Sequence, residues 1–203
     1  MSVSLRSGWH RRLPRHDAPR YLRQWLLDEG SLTARLQRRG RFSLELLAQE
    51  LDTPSADEAL LFGLVPGQKA RIREVALAVD GRPFVFAHTV LPIRPRGPVT
   101  GWLARLGKRS LGSMLFSRPG FERGALSCCR LDSRHPLYIP AMMALGLSGS
   151  APLWARRSCF RFGKQQVLVT EVFSPELSAS PPPTASRYEN ATMRVDAEPP
   201  GLL

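Results

Sequence analysis

Two strand-like segments joined by an Asp80-Gly81 pair constrain the fold of this chain more than any other feature. Residues 69–79 and 83–92 are rich in branched and other apolar side chains. An Asp-Gly pair between two such segments is typical of a tight hairpin turn, because that turn requires positive φ angles. A second hairpin is predicted further along, with strands at residues 155–162 and 166–173. The chain is therefore predicted to contain two β-hairpins.

Helices are predicted before and between these hairpins. Three segments have apolar residues three and four positions apart, which is typical of one buried helix face: 19–29, 32–39 and 43–51. Residues 52–68 are predicted to be a loop, and residues 101–117 to form two short helical pieces. The prolines and glycines of residues 118–153 leave no clear pattern there.

The length and the ends of the chain indicate one domain with two tails. A chain of 203 residues suits a single domain. Residues 1–18 form a basic leader that we expect to be flexible, although a mitochondrial presequence has a similar arginine-rich composition. Residues 19–177 form the predicted domain. Residues 178–203 are rich in proline and serine, which predicts a disordered tail.

Composition excludes several classes of protein. The net charge of +12 suggests nucleic acid, but the arginines are scattered and form no basic helix or aromatic-interleaved sheet motif, so no nucleic-acid partner is expected. No apolar run is long enough to span a membrane. The four histidines lack metal-ligand spacing, which predicts no metal site. Three cysteines, two of them adjacent, fit a reducing cytoplasm better than a disulfide scaffold.

Two charged residues interrupt apolar strand faces. With a side-chain period of two, Arg73 shares a face with Val75 and Leu77, and Glu171 shares one with Val169. A charge in a core is unfavourable unless it is paired or used. The two residues could therefore form a structural ion pair with each other. They could instead line a pocket for a small anion, in which the guanidinium binds a carboxylate and the glutamate accepts a hydroxyl proton.

Short motifs across residues 20–177 occur in an order that resembles one known family. They are Trp25-Leu26-Leu27, Gly30-Ser31-Leu32-Thr33, Arg73-Glu74-Val75, Thr89-Val90-Leu91-Pro92, Leu106-Gly107-Lys108-Arg109-Ser110-Leu111-Gly112 and Thr170-Glu171-Val172-Phe173. Each motif is modest, but the ordered set resembles the chorismate pyruvate-lyase family of bacterial ubiquinone biosynthesis. Residues 118–152 are expected to be a family-variable insertion.

This resemblance implies an α+β fold, in which helices pack on one side of a single antiparallel sheet and helical flaps cover an internal ligand site. It also implies conversion of chorismate to 4-hydroxybenzoate and pyruvate without a cofactor or metal, in a cytoplasmic protein expected to be a monomer. By motif position, Arg73 would bind the ring carboxylate and Glu171 would lie near the ring hydroxyl, both as catalytic residues. The backbone amides of Leu32 and Leu111 would help to bind substrate.

Other readings stay open at this point. The effector-binding domains of some bacterial transcription regulators resemble the same fold and bind small molecules without catalysis. They normally follow a winged-helix module, which residues 1–20 are too short to form, and this favours the enzyme. The arginine-rich leader offers a weaker nucleic-acid alternative. His88 stands where an arginine is expected in the family, which leaves the pathway of product exit or a secondary binding role open.

Overall fold

A seven-stranded antiparallel sheet organises the chain in the computed structural model, which describes residues 8–13 and 18–178. The strands are β1 (Phe42–Asp52), β2 (Ala70–Val79), β3 (Arg82–Pro92), β4 (Glu122–Arg123), β5 (Ser127–Leu131), β6 (Leu153–Phe162) and β7 (Gln165–Phe173). Their order is β1-β2-β3-β7-β6-β4, and β5 also pairs with β6. Every neighbouring pair is antiparallel.

Short helices connect these strands. Within the described residues they are α1 (Arg20–Leu26), α2 (Leu32–Gln37), α3 (Ala56–Phe62), α4 (Pro98–Ala104), α5 (Leu111–Ser117), α6 (Tyr138–Ala144) and a final 3-10 turn, Pro175–Ser178. The predicted class, an α+β fold with one antiparallel sheet, is confirmed. Residues 118–152, predicted to be an insertion, contribute β4, β5 and α6.

The β2–β3 hairpin forms where the sequence predicts it. Asp80 and Gly81 have φ angles of 51° and 79°, and both are positive, as the tight hairpin turn requires. The Asp80 side chain accepts a hydrogen bond of 2.9 Å from the backbone N–H of Arg41. The turn therefore also holds the start of β1 against β2.

One predicted helix is a strand. Residues 43–51 belong to β1, an edge strand that pairs only with β2 among the described residues. Leu44, Leu47 and Leu51 have helical spacing, which explains the wrong prediction. In the structure Leu44 and Leu46 are half-buried while their neighbours are exposed, so a period of two describes the strand.

The predicted loop at residues 52–68 contains helix α3. Its start is a capping box: the backbone N–H of Ser55 donates to the Glu58 carboxylate at 3.0 Å, and Glu58 is the third helical residue. Gly63 ends the helix in a left-handed conformation, with a φ of 62°. The Ser-x-x-Glu signal was present in the sequence, but a helix of seven residues is too short to show a clear apolar face.

The sheet has two buried faces, and helices pack on both of them rather than on the one side that the family resemblance implies. On the front face, which includes Val75, Val85 and Phe173, helices α1 and α2 pack over one end. Helices α4 and α5 pack over the other end of the same face. The back face includes Phe86 and Val172 and packs against α6. The segment that follows α3 covers the rest of the back face.

The ends of the chain lie partly within the described residues. His10, in the predicted leader, exchanges two backbone hydrogen bonds of 2.8 Å with Cys128 in β5. The predicted tail lies outside the described residues, apart from Ser178. No helix in the described part of the chain is both long and apolar enough to cross a membrane.

Candidate active site

A cavity lies between the front face of the sheet and the short helices α2 and α5. Its volume is small, about 40 Å³, and it opens to solvent at a mouth. Its wall is mostly apolar, with a few polar side chains, as in many small-molecule sites. Its polar lining residues are Thr33, Arg73, Thr89, Ser110, Arg123, Ser158 and Glu171. The four residues predicted from the sequence, Leu32, Arg73, Leu111 and Glu171, all line this one cavity.

Arg73 is a buried cation without a carboxylate partner among the described residues. Its Nη2 donates hydrogen bonds to the carbonyl oxygens of Gly107 at 2.7 Å and Arg109 at 3.2 Å, in the loop before α5. Its buried Nε has no hydrogen-bond partner in the described structure. Burial lowers the pKa of Arg73, because the charged form loses hydration. An arginine remains charged even so, which makes the cavity attractive to an anion.

Glu171 is paired, but with a different arginine from the one considered in the sequence analysis. Arg156 lies directly opposite Glu171 in the β6–β7 register, and its Nε donates to Glu171 Oε2 at 2.5 Å. Strand β3 separates the strands of Arg73 and Glu171, which places their backbones about 10 Å apart. The structural Arg73–Glu171 pair is therefore not formed, and Glu171 Oε1 has no hydrogen bond to a described residue.

Two further arginines of the site were missed by the sequence analysis. Arg156 is almost fully buried, and its Nη1 donates to the carbonyl oxygens of Trp25 at 2.7 Å and Asp28 at 2.5 Å, at the end of α1. Arg156 shares the front face of β6 with Ser158, because residues two positions apart on a strand point to the same side. This alternation could have identified Arg156 from the sequence. Arg123 comes from a two-residue strand in a segment without periodicity, so no sequence signal pointed to it.

The first turns of α2 and α5 form the wall above the sheet. Leu32 and Leu111 are the first residues of these helices, so their backbone N–H groups have no acceptor within the helix. Ser110, which caps α5, also contacts α2 through a 2.6 Å hydrogen bond between its hydroxyl and that of Thr33. The two helices predicted as flaps are thus joined directly over the cavity.

Comparison with known proteins identifies the family. The model of the chorismate lyase family matches residues 6–179 of this chain. The chain belongs to the chorismate lyase family. The resemblance inferred from the sequence motifs is thereby confirmed.

Curated members of the chorismate lyase family are similar over most of the chain. A probable chorismate pyruvate-lyase of Dechloromonas aromatica is 49% identical, over 85% of this chain and 97% of the relative. A protein of the same name from Aromatoleum aromaticum is 44% identical, over 85% of this chain and 95% of the relative.

Two solved structures illustrate the fold that this chain shares. The C-terminal domain of the histidine utilization repressor of Pseudomonas syringae has a TM-score of 0.51 at 9% identity, over 67% of this chain and 93% of that one. The effector domain of PhnF from Mycobacterium smegmatis has a TM-score of 0.51 at 17% identity, over 72% of this chain and 90% of that one. At these identities the likeness shows the fold alone.

His88 stands at the position where the family resemblance predicts an arginine, and it lies outside the cavity. Its neighbour Thr89 lines the cavity, so the strand alternation directs His88 to the back face. There its Nδ1 is 2.9 Å from Glu74 Oε1 and its Nε2 is 3.3 Å from Glu58 Oε1. Burial would lower the pKa of His88, but the two carboxylates outweigh it and raise the pKa to about 9. His88 is therefore a cation neutralised on the back face.

A second, open depression adjoins the mouth of the cavity in this chorismate lyase family member. It shares Thr33 and Ser110 with the cavity wall. Its outer lining is strongly basic and includes Arg105, Lys108, Arg109 and Arg118. A basic approach of this kind attracts anions towards the cavity.

Proposed function

We propose that this chain converts chorismate to 4-hydroxybenzoate and pyruvate in the front-face cavity, as the first step of ubiquinone biosynthesis. The observation that carries the assignment of the site is Arg73, a buried guanidinium with no carboxylate partner among the described residues, which lines an otherwise largely apolar cavity. An anionic ring compound satisfies both the charge and the apolar wall. Membership of the chorismate lyase family supports the reaction.

Arg73 binds the ring carboxylate of chorismate in this proposal. Two backbone carbonyls hold its Nη2, so the orientation of the guanidinium is set before substrate enters. The remaining N–H groups are available to a carboxylate, with which guanidinium forms strong charge-assisted hydrogen bonds. The backbone amides of Leu32 and Leu111 add donors from the cavity wall.

Glu171 lies near the ring hydroxyl. Arg156 holds its Oε2, which leaves Oε1 to accept a hydrogen bond from the substrate. Glu171 supplies the one carboxylate among the described residues that line the cavity, so it is also the candidate to assist removal of the C4 proton.

The reaction needs positioning more than strong chemical catalysis. The proton on C4 leaves, the bond between C3 and the ether oxygen breaks, and the ring becomes aromatic. The leaving group departs as enolpyruvate, which takes up a proton at its methylene carbon to become pyruvate. Aromatisation supplies much of the driving force. A largely apolar cavity with fixed donors supplies orientation and limits the access of water to the reacting atoms.

One assay tests the proposed function. Purified protein is incubated with chorismate and no additive, and 4-hydroxybenzoate is measured by chromatography and pyruvate by a coupled dehydrogenase. We expect both products in equal amounts. Folded protein that forms neither product would contradict the proposal and leave the effector-domain reading, which has no support beyond the shared fold.

The monomeric state and cytoplasmic location form part of the same proposal. Cys128 and Cys129 are buried free thiols, which suits a reducing compartment. Light scattering coupled to size-exclusion chromatography should give the mass of one chain, 22.6 kDa.

A further inference from the structure

Chorismate carries two carboxylates, and the proposed function accounts for one of them at Arg73. The second belongs to the enolpyruvyl group, which is absent from 4-hydroxybenzoate. We propose that Arg123 binds this second carboxylate and so distinguishes substrate from product. This inference rests on the proposed function of the cavity.

Arg123 is anchored so that part of its guanidinium is left for a ligand. Its Nε donates to Ser158 Oγ at 3.0 Å, and its Nη1 donates to the carbonyl oxygen of Glu29 at 2.5 Å. Its guanidinium carbon lies 5.4 Å from the ring centroids of both Phe116 and Phe160. Its Nη2 makes no hydrogen bond to the described residues. The side chain is thus held in place, with one N–H group unused.

The charge of Arg123 is not neutralised by an ion pair in the described structure. Burial, and then the positive charge of Arg156, lower the pKa of Arg123. Glu171, Glu29 and Asp28 act on Arg123 electrostatically and oppose this by raising its pKa, but none of them forms an ion pair with it. A half-buried cation without a close counter-ion is stabilised when an anion enters.

The other arginine on this side of the cavity cannot take the same role. The charge of Arg156 is already paired: its Nε donates to Glu171 and its Nη1 to the carbonyl oxygens of Trp25 and Asp28. Its side chain is 1% exposed and is not part of the cavity lining. Arg73 and Arg123 are therefore the cavity arginines without a carboxylate partner among the described residues. Their number matches the two carboxylates of chorismate.

Sheet order places these two arginines on opposite sides of Glu171. Arg73 lies on β2 and Arg123 on β4, while β7, which carries Glu171, lies between those strands. In chorismate the ring carboxylate lies at one end, and the hydroxyl and enolpyruvyl ether are neighbours at the other. A ring carboxylate at Arg73 therefore directs the hydroxyl towards Glu171 and the enolpyruvyl group towards β4.

The decisive experiment compares substrate with product in an Arg123→Gln variant. We expect the KM for chorismate to rise about 10- to 100-fold, the effect of losing a charge-assisted contact. The Kd for 4-hydroxybenzoate, measured by calorimetry, should change less than about twofold, because the product lacks the second carboxylate. Arg123→Lys should restore part of the chorismate affinity, since it keeps the charge.

Two controls separate this role from a structural one. Arg161→Gln removes the same charge from an exposed position on β6, the strand that pairs with β4, and should leave both constants unchanged. Arg73→Gln should weaken the binding of chorismate and of 4-hydroxybenzoate alike, because both compounds have the ring carboxylate. The Tm of each variant, from circular dichroism, reports whether the fold is retained.

Several results would overturn the inference. An Arg123→Gln protein with wild-type KM would do so while leaving the proposed function intact. If Arg123→Gln weakened the binding of chorismate and of 4-hydroxybenzoate equally, Arg123 would have a structural role, in which it connects Glu29 and Ser158 through hydrogen bonds. A wild-type protein that forms no 4-hydroxybenzoate would defeat the proposed function and this inference with it.

Discussion

The two faces of the sheet differ in how many of their buried cations are paired with a carboxylate. On the back face, His88 lies between Glu58 and Glu74, and Arg157 Nη1 donates to Asp57 Oδ2 at 2.6 Å. On the front face, Arg73 and Arg123 line a cavity without a carboxylate partner in the described structure. Paired charges on the back face hold α3 against the sheet. The unpaired arginines of the front face are available to a ligand, and they lie beside one buried ion pair, Arg156–Glu171, whose carboxylate also lines the cavity.

The largest expected effect comes from Arg73→Gln. Loss of two or more charge-assisted hydrogen bonds should lower kcat/KM for chorismate by about 100-fold or more. Stability should change little, because loss of the hydrogen bonds to Gly107 and Arg109 offsets the removal of a buried charge that has no ion pair. Initial rates at low chorismate and a urea unfolding curve measure the two effects. Near-normal activity would show that an unpaired arginine on the front face does not mark the substrate-binding residue.

Glu171→Gln tests the paired charge that lies on the front face. The amide keeps the size of the side chain but cannot take a proton, so kcat should fall about 10- to 100-fold if Glu171 assists proton removal, within the usual range for general catalysis. Single-turnover rates at saturating chorismate measure this step. Unchanged turnover in a variant with wild-type Tm would exclude acid–base work by this carboxylate.

On the back face, Arg157→Ala should affect stability and not catalysis. The change leaves Asp57 without its ion pair, although partial exposure of that carboxylate moderates the cost to about 2 kcal/mol of unfolding free energy. Urea denaturation measures this loss. The value of kcat/KM per folded molecule should stay within about twofold of wild type. A large fall in kcat/KM without loss of stability would contradict the division between the faces.

The smallest effect on catalysis is expected from His88 on the back face, whose titration instead gives a pH dependence of stability. Its pKa is about 9 in the folded protein, against 6.5 as its ordinary value. Its contribution to stability is therefore fully present below pH 6.5 and is lost as the pH rises to about 9. The shift from 6.5 to about 9 corresponds to a loss of about 3 kcal/mol across this window. A His88→Gln variant should be less stable and should lack this slope. If the stability of both proteins fell equally with rising pH, the pH dependence would come from groups other than His88.

Local patterns predict the elements whose signals lie close together in the sequence. The β2–β3 hairpin follows from Asp80-Gly81 and the alternation beside it, and its observed bounds differ from the prediction by a residue. Strand β1 was mistaken for a helix because its leucines fit both periods. Only its pairing with β2, at a sequence separation of about 30 residues, decides between them. Secondary structure at a sheet edge thus depends on a distant partner.

The site divides in the same way. Arg73 and Glu171 could be selected from the sequence because each is a charge on an apolar strand face. Leu32 and Leu111 came from the family resemblance, and the structure places them in the same cavity. Arg123 could not be found, because its position depends on the packing of a two-residue strand against β6. The roles assigned to these residues stay predictions until the variants are measured.

The amino-acid sequence by itself determined the two hairpins, the faces of Arg73 and Glu171, and the family, because each depends on the order and spacing of nearby residues. Only the tertiary structure decided which charge pairs with which. Arg156 pairs with Glu171 because the β6–β7 register places them opposite each other. Arg73 has no carboxylate partner in the described structure because β3 separates its strand from that of Glu171. Ion pairing falls off with distance through space, and strand order sets that distance.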